Sequence, residues 1–415
     1  MGVLHLKLSK LTLLGATVIG LCQPGLAAEL EVTHWWTSGA EAAAIKVIAD
    51  AYSQSGNTWI DGAIAGAGGV ARPLITSRIT GGDPMGATQF THSAAMVELI
   101  EAGFMRDVTE LAETAGWKEK IFPQSLLESC TFEGRLYCVP SNIHSQQWLW
   151  LNNAVFEDNG LAVPQNWAEF VAAGPKLREA GIVPLAQGRQ AWQLQLTFNV
   201  LMVGIGGPEL FLKVYDDLDA EYAAGPDVAK VFEAAAQART LMEGGNVQEW
   251  NLAAQMLVGG SAAGQIMGDW VQGEFTQAGM VAGEDYSCLP GLGEHEYITA
   301  AGDAFYFPKV DNPKIVAAQD VLANVIVSPE TQVAFTAAKG ALPVRGDVEL
   351  VDATPCMEKG MDILKQGHIV ESINTLVSPD TVARVTDLMV EFFADPSFEA
   401  ARAQAEFAEI IATAD

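Results

Sequence analysis

The chain has few basic residues: 23 Lys and Arg stand against 51 Asp and Glu, giving a formal net charge of −28 over 415 residues. Binding to nucleic acid needs clustered Lys and Arg, and attachment to anionic lipid needs the same charges, so the composition disfavours both. The acidity favours solubility, above all where salt screens self-repulsion.

Motifs of common catalytic centres are also missing. The sequence contains no HExxH or GxSxG, and its cysteine spacing fits no usual zinc pattern, so we expect no enzymatic activity, no cofactor and no metal. The segment AGAGGVA at 65–71 nominally matches a dinucleotide-binding fingerprint. It comes one unit too late in the predicted fold, and we predict that the next helix starts at Pro73. We therefore interpret it as a glycine turn.

No apolar run is long enough for a membrane-spanning helix of about 20 residues. Residues 1–28 have the form of a secretory signal, with Lys7 and Lys10 before an apolar run from Leu11 to Leu21. We expect cleavage after Ala27 or Ala28, which leaves a soluble chain. An uncleaved anchor and lipidation at Cys22 are alternatives, the second disfavoured because Leu21 is not small.

Four cysteines follow the leader, and an even number in an exported chain favours disulfides. Cys130 and Cys138 flank TFEGRLY, which predicts a hairpin turning at Glu133-Gly134 and brings the two thiols together. Cys288 and Cys356 would then pair by elimination.

The first hundred residues after the leader predict alternating strands and helices, and hence a parallel, doubly wound sheet. Ligands bind at the carboxyl ends of such strands. Three segments fall at those ends: Trp35-Trp36, 66–69 and 89–92. The predicted elements are strands at 30–33, 59–64 and 87–90 and helices at 40–52, 73–80 and 96–102.

The chain is too long for one ordinary core, so we expect two lobes. The middle, from Asn153 to Ala282, reads as mostly helical, with one helix led by Pro164, and Thr299 to Val310 returns to strand. We predict a first lobe of 29–140 plus 300–345 and a second of 141–299 plus 346–415. The hinge would be ordered strands near Pro140 and Gly302.

Six segments carry a resemblance to a known family. The chain resembles the extracellular solute-binding proteins of ABC importers, which include the maltose-binding protein, and within them the glucose/mannose-type monosaccharide-binding branch. The resemblance implies an α/β, two-lobe type II periplasmic-binding-protein fold with a ligand cleft between the lobes. It also implies a monosaccharide ligand, permease subunits as partners, a periplasmic location and a monomer. The segments are HWWTSGAEAAA at 34–44, ITGGDPMGATQF at 79–90, FEGRLYCVPSNIHSQQWLWLN at 132–152, AAGQIMGDW at 262–270, GDAFYFPK at 302–309 and AAKGALPVR at 337–345.

A sugar needs an aromatic plane for its C–H face and fixed donors and acceptors for its hydroxyls. Trp35 and Trp36 point to opposite faces of their strand, and we expect Trp36, nearer the turn, to be the contact and the other to be core. Trp192 is expected to open a cleft-facing helix, with packing as the alternative. The resemblance implies that Trp270 is the second lobe's stacking plane.

The polar candidates are carboxylate, amide, imidazole and ammonium side chains, most of them near the ends of predicted strands and helices. Carboxylates accept hydroxyls and amides both donate and accept, and Asn142 and His144, two apart, share one face of a strand. The resemblance implies ligand contact for these and for Lys339, with core or helix-end packing as the alternative. This sequence departs from the family pattern at two of the candidates. His92 lies in QFTH, where relatives read QxH or QxK, and Asn374 stands where relatives carry histidine. The polar set is Glu41, Gln89, His92, Asn142, His144, Asp269, Asp303, Lys339 and Asn374.

Two other classes of protein compete with this interpretation. A secreted carbohydrate-active hydrolase would also use tryptophans and a carboxylate pair, drawn here from Glu41, Asp269 and Asp303. A lectin-like adhesin would need multivalency, which the lack of internal repeats disfavours. Hydrolysis or stoichiometric binding without turnover would separate the first class from a transport receptor.

Overall fold

The computed structural model describes residues 1–2, 28–91, 94–299, 301–351 and 353–414. Most of the predicted signal peptide, Cys22 and His92 lie outside the described residues.

The amino-terminal region alternates strands and helices as predicted. Leu30 and Val32 of β1 are fully buried, and the Ser38 side chain caps α1 by accepting the Glu41 N–H. The prediction that the second helix starts at Pro73 was wrong. Gly66 takes a positive φ of 102°, which turns the chain directly into a helix at Ala67. The elements are β1 Glu29–His34, α1 Gly39–Gln54, β2 Thr58–Ala63, α2 Ala67–Thr80, β3 Ala87–Thr91 and α3 Ala94–Glu101.

The next segment holds the predicted hairpin. Glu133 and Gly134 both take positive φ at its two-residue turn, and Cys130 and Cys138 form the predicted disulfide with Cα atoms 5.2 Å apart. The elements are α4 Thr109–Ala115, α5 Trp117–Lys120, α6 Ser125–Glu128, β4 Thr131–Phe132, β5 Arg135–Leu136, β6 Cys138–Pro140 and β7 Trp148–Asn152.

The middle of the chain is mostly helical. The helix expected to be led by Pro164 begins at Trp167 instead, because the Asn166 side chain caps it by accepting the Glu169 N–H. The elements are α7 Asn153–Asp158, α8 Trp167–Glu179, β8 Val183–Leu185, α9 Ala191–Tyr215, α10 Ala220–Ala223, α11 Pro226–Leu241, α12 Trp250–Val258, β9 Ala262–Ile266, α13 Val271–Gln277 and β10 Tyr286–Pro290.

Helix α9 corrects one expectation from the sequence. It is 25 residues long and apolar enough to span a membrane by length and composition, although no such later stretch was expected. Most of it is buried among α11, α18 and the rest of the core, and its backbone kinks at Gly207. It is a core helix of the fold.

The carboxyl-terminal region returns briefly to strand and ends in helices, as predicted. A short 3-10 turn at Gly291–Gly293 precedes it. The elements are β11 Ile298–Thr299, β12 Asp303–Tyr306, α14 Pro313–Ile326, α15 Pro329–Lys339, α16 Pro355–Lys365, β13 Ile369–Val370, α17 Ile373–Leu376, α18 Pro379–Ala394 and α19 Ala400–Ala412.

Two sheets organise these elements. The first has the order β2-β1-β3-β12-β6, with β1 parallel to β2 and β3, and with β12 antiparallel to β3 and β6. The second has the order β10-β7-β9-β8. The chain therefore leaves the first sheet after β6, builds the second, and returns to the first through β12. The bounds of the two lobes stay a prediction.

Three chain segments run together between the sheets. The His144 N–H donates to the Ala301 carbonyl at 2.8 Å, and the Ser141 N–H donates to the Asp303 carbonyl at 2.9 Å. Ile143 pairs with Leu342 in an isolated bridge. These hydrogen bonds join the site-bearing segments into one ordered crossing.

The second disulfide joins Cys288 of β10 to Cys356 of α16, which is the predicted pairing. It spans 68 residues of sequence, whereas the hairpin disulfide spans 8. Closing a longer loop restricts the unfolded chain more strongly.

We predict that Cys288→Ser/Cys356→Ser lowers the free energy of unfolding by about 2 kcal/mol more than Cys130→Ser/Cys138→Ser, from the difference in loop-closure entropy. Denaturant unfolding of the two double variants measures the difference. Equal destabilisation by the two changes would contradict it.

Candidate functional site

The buried ammonium of Lys339 lies at the centre of the candidate site. Its Nζ is 2.8 Å from Glu41 Oε1 and 5.0 Å from the centre of the Trp36 ring, and the Lys339 side chain is 1% exposed. Lys339 is the last residue of α15, and Glu41 lies in the first turn of α1. A charge this deeply buried requires a partner, and Glu41 supplies it.

Asp303 begins β12 and lies next to this pair in the field of Lys339. Gln89 of β3 donates from Nε2 to Asp303 Oδ1 at 2.7 Å, and its Oε1 accepts the Trp35 N–H at 3.2 Å. The Gln89 amide therefore holds one oxygen of Asp303 in place. The other oxygen, Oδ2, lies 3.3 Å from His144 Nε2 without the angle of a hydrogen bond.

Asp269 supplies a carboxylate from the side of the second sheet, three residues after β9. Its Oδ2 accepts the Ser145 N–H at 2.9 Å and the Ser145 hydroxyl at 2.7 Å. The Ser145 Oγ in turn accepts the Trp148 Nε1–H at 2.7 Å. Ser145 thus fixes one oxygen of Asp269, whereas the other, Oδ1, has no hydrogen-bond partner in the described chain.

Four buried polar atoms of these segments have no hydrogen-bond partner within the described part of the chain. An unpaired buried polar group costs about 1–3 kcal/mol, so folded proteins rarely leave one without a function. Here donors and acceptors are mixed, as recognition of a hydroxyl-rich ligand requires. The four atoms are Asn142 Nδ2, His144 Nε2, Asp269 Oδ1 and Asp303 Oδ2.

An aromatic surface adjoins these polar atoms. The Trp270 ring lies 4.8 Å from the His144 ring, 6.3 Å from Trp192 and 6.5 Å from Trp250, measured between ring centres. A Cβ at Gly268 would stand 2.0 Å from the Trp270 indole, so only glycine allows the indole to lie on that backbone. This packing fixes the orientation of the Trp270 ring.

Burial controls the charge of the acidic and imidazole groups. It raises the pKa of Asp269 to about 7 and that of Asp303 to about 6, while Lys339 works against both shifts. Burial, and next the charge of Lys339, hold the pKa of His144 well below its ordinary value. His144 is therefore neutral at physiological pH and can either donate or accept at Nε2.

A family model described as bacterial extracellular solute-binding protein matches residues 36–332 of the chain. The chain belongs to this family.

A curated relative agrees with the assignment, and solved structures share the fold. A "probable sugar-binding periplasmic protein" of Brucella melitensis is 34% identical over 371 residues, which cover 87% of each chain. The solved bacterial solute receptor AcbH, described by its exclusive preference for b-D-galactopyranose, superposes with a TM-score of 0.74 at 19% identity, covering 92% of this chain and 97% of that one. A solute-binding protein of Thermotoga lettingae bound with alpha-D-tagatose has a TM-score of 0.71 at 17% identity, covering 93% and 100%. The fold is the two-lobe type II periplasmic-binding-protein fold expected from the sequence.

Most of the residues predicted to bind ligand in this solute-binding protein are brought together. The two adjacent tryptophans take opposite sides: Trp36 is 1% exposed and packs against Phe305 and Phe335, and Trp35 packs edge-on against Phe90. That Trp36 is the ligand contact stays a prediction. The residues that lie together or contact one another are Trp35, Trp36, Glu41, Gln89, Asn142, His144, Trp192, Asp269, Trp270, Asp303 and Lys339.

Asn374 is described by the structure but does not lie with the other residues predicted to bind ligand. It lies exposed in α17, and its side chain donates to Ser372 two residues away. Its choice rested on the position of a histidine in relatives and had no support from the geometry of the chain. His92 lies outside the described residues.

Three kinds of residue in the solute-binding protein were not predicted from the sequence. Arg72 of α2 donates to Thr91 Oγ1 at 2.9 Å and places its guanidinium 5.3 Å from the Trp35 ring. Ser145 holds Asp269, and its position next to His144 in the crossing segment could have indicated it. Buried glutamine oxygens without a partner in the described chain form the third kind: Gln187 Oε1, Gln193 Oε1 and Gln265 Oε1.

We predict that the ligand-free protein loses stability relative to Asp269→Asn as pH rises from about 4 to about 8. The ordinary pKa of an aspartate is 3.8, but Asp269 keeps its proton in the folded state up to about 7. Between these values the folded state binds more protons than the unfolded chain, so the free energy of unfolding falls as pH rises. Asp303 acts in the same direction in both proteins.

Thermal unfolding of the two proteins across this pH range measures the effect. Asp83→Asn, at a side chain that is 86% exposed, controls for the change in net charge. A stability difference between wild type and Asp269→Asn that does not vary with pH would contradict the assignment.

Proposed function

We propose that this chain is the substrate-binding component of an ABC importer and captures a monosaccharide of the glucose, mannose or galactose type between its lobes. The observation that carries the proposal is the set of four buried, unpartnered polar atoms on Asn142, His144, Asp269 and Asp303. Sugar hydroxyls can donate to the two carboxylate oxygens and accept from the amide, and the imidazole can do either.

A sugar is favoured over other polar ligands by the combination of groups. The indole of Trp270 beside His144 offers an aromatic plane for the C–H face of a pyranose ring. A hydroxyl-rich neutral ligand also fits carboxylates held by neighbouring N–H and O–H donors, whereas a second anion would have to approach them against their charge. The name of the Brucella melitensis relative agrees with a sugar ligand.

A single sugar ring is favoured because the polar set is concentrated around one side chain. His144 lies 3.3 Å from an Asp303 oxygen and 4.8 Å, between ring centres, from Trp270. One ring bound against these groups would meet both lobes at once. AcbH and the Thermotoga lettingae protein, by their descriptions, take single sugars.

In this proposal, the two lobes close around the sugar, and this closure is the step that leads to transport. Contacts from both lobes stabilise the closed form with sugar bound, and a membrane permease recognises that form. We expect a monomer in the periplasm, exported by a signal peptide that is removed, and binding without turnover. Release of free sugar from an oligosaccharide by the purified protein would favour the hydrolase alternative instead.

We predict that glucose, mannose or galactose raises the unfolding midpoint of the wild-type protein by several degrees. At about 100 times its dissociation constant a ligand adds roughly 2.7 kcal/mol to the free energy of unfolding. Asp303→Ala should weaken binding of the same sugar by roughly 1–3 kcal/mol, because it leaves hydroxyls without partners. Calorimetric titration measures the loss.

The control variant is Asp83→Ala, which removes an exposed carboxylate and should bind like the wild type. A panel of pentoses, disaccharides, polyols and amino acids defines selectivity. No shift with any sugar, together with a shift from another class of compound, would refute the sugar assignment.

A further inference from the structure

The two lobes touch each other directly beside the candidate site. Helix α13 directly follows β9 of the second sheet, and it packs on the start of α1 and the end of α15, which pack on each other beside the first sheet. We call this contact the junction and define it by Gly39, Ala40, Gly273, Glu274 and Gly340.

Glycines allow the backbones at the junction to approach. A Cβ at Gly273 would stand 2.8 Å from the Ala40 Cβ and 2.9 Å from the Ala338 carbonyl oxygen. A Cβ at Gly340 would stand 2.6 Å from the Gly273 nitrogen, and Gly340 also takes a positive φ of 77°. Backbone atoms cannot move aside as a flexible side chain can, so any larger residue at position 273 would separate the lobes.

Hydrogen bonds complete the junction. Glu274 Oε1 accepts the Ala40 N–H at 3.2 Å, and its Oε2 accepts from Gln255 Nε2 at 3.3 Å. The carboxylate thus meets a free N–H at the positive end of α1, where negative charge is favoured. Gln272 Nε2, also of α13, donates to the Gly340 carbonyl at 3.2 Å.

The residues of the junction are close neighbours, in the sequence, of residues of the candidate site. Ala40 precedes Glu41, Gly340 follows Lys339, and α13 begins two residues after Asp269. Forming the junction therefore brings the Glu41–Lys339 pair of the first lobe to the Asp269 carboxylate of the second, whose pKa Lys339 lowers.

We propose that the junction positions Glu41 and Lys339 against Asp269 and partly stabilises the closed form before ligand binds. The effect on affinity rests on the proposed function. A ligand that binds only the closed form shows an apparent dissociation constant that rises as the closed fraction falls. Residues that do not touch the sugar thereby set how tightly it is held.

The test is Gly273→Ala, with Asp83→Ala as the control because the Asp83 side chain is 86% exposed. Small-angle scattering of the ligand-free proteins should show a larger radius of gyration for Gly273→Ala than for the wild type and the control. Calorimetry should show affinity for the sugar reduced roughly ten-fold or more. Thermal unfolding without ligand checks that Gly273→Ala is folded.

Glu274→Ala is the second variant, in case the first does not fold, and should expand the ligand-free protein in the same way. Unchanged scattering and unchanged affinity in both variants would overturn the proposal while leaving the sugar assignment intact. A wild type that binds no sugar, with Gly273→Ala still expanded, would remove the proposed function and keep the junction.

Discussion

The site depends on one buried cation. Lys339 has nearly no contact with solvent, and its ammonium meets Glu41 directly while acting on Asp269, Asp303 and His144 through its charge. Burial raises the pKa values of both aspartates, and the charge of Lys339 opposes that rise. Lys339 therefore favours the ionised, hydrogen-bond-accepting form of these buried aspartates.

The fold supplies that arrangement from distant parts of the chain. Glu41 comes from the first turn of α1, Asp303 from the returning strand β12, and Lys339 from the end of α15. Asp269 alone comes from the side of the second sheet, and the crossing segment holds it through Ser145. Each aspartate is anchored by one oxygen and leaves the other without a partner in the described chain. A ligand bound there would meet fixed acceptors, and binding would cost the protein little conformational freedom.

The sequence was informative where chemistry is local. The alternation of strands and helices, the hairpin turn at Glu133-Gly134, the hairpin disulfide and the grouping of strand-end residues could all be predicted from patterns of a few residues. The second disulfide then followed by elimination. Helix starts were harder. A positive φ at Gly66 began α2 well before Pro73, and the Asn166 cap began α8 after Pro164, because cap geometry and not proline set those boundaries.

Contacts between distant segments could not be predicted. Nothing near Gly273 in sequence indicates that its missing side chain admits Ala40, and nothing near Arg72 indicates that it reaches Trp35. Asn374 shows the opposite error, since a position inferred from relatives lies exposed and away from the cluster. The measurement that tests the account most directly is a crystal structure with the sugar that most stabilises the protein. The account predicts one sugar ring hydrogen-bonded to both Asp269 and Asp303, and a sugar held by only one lobe would contradict it.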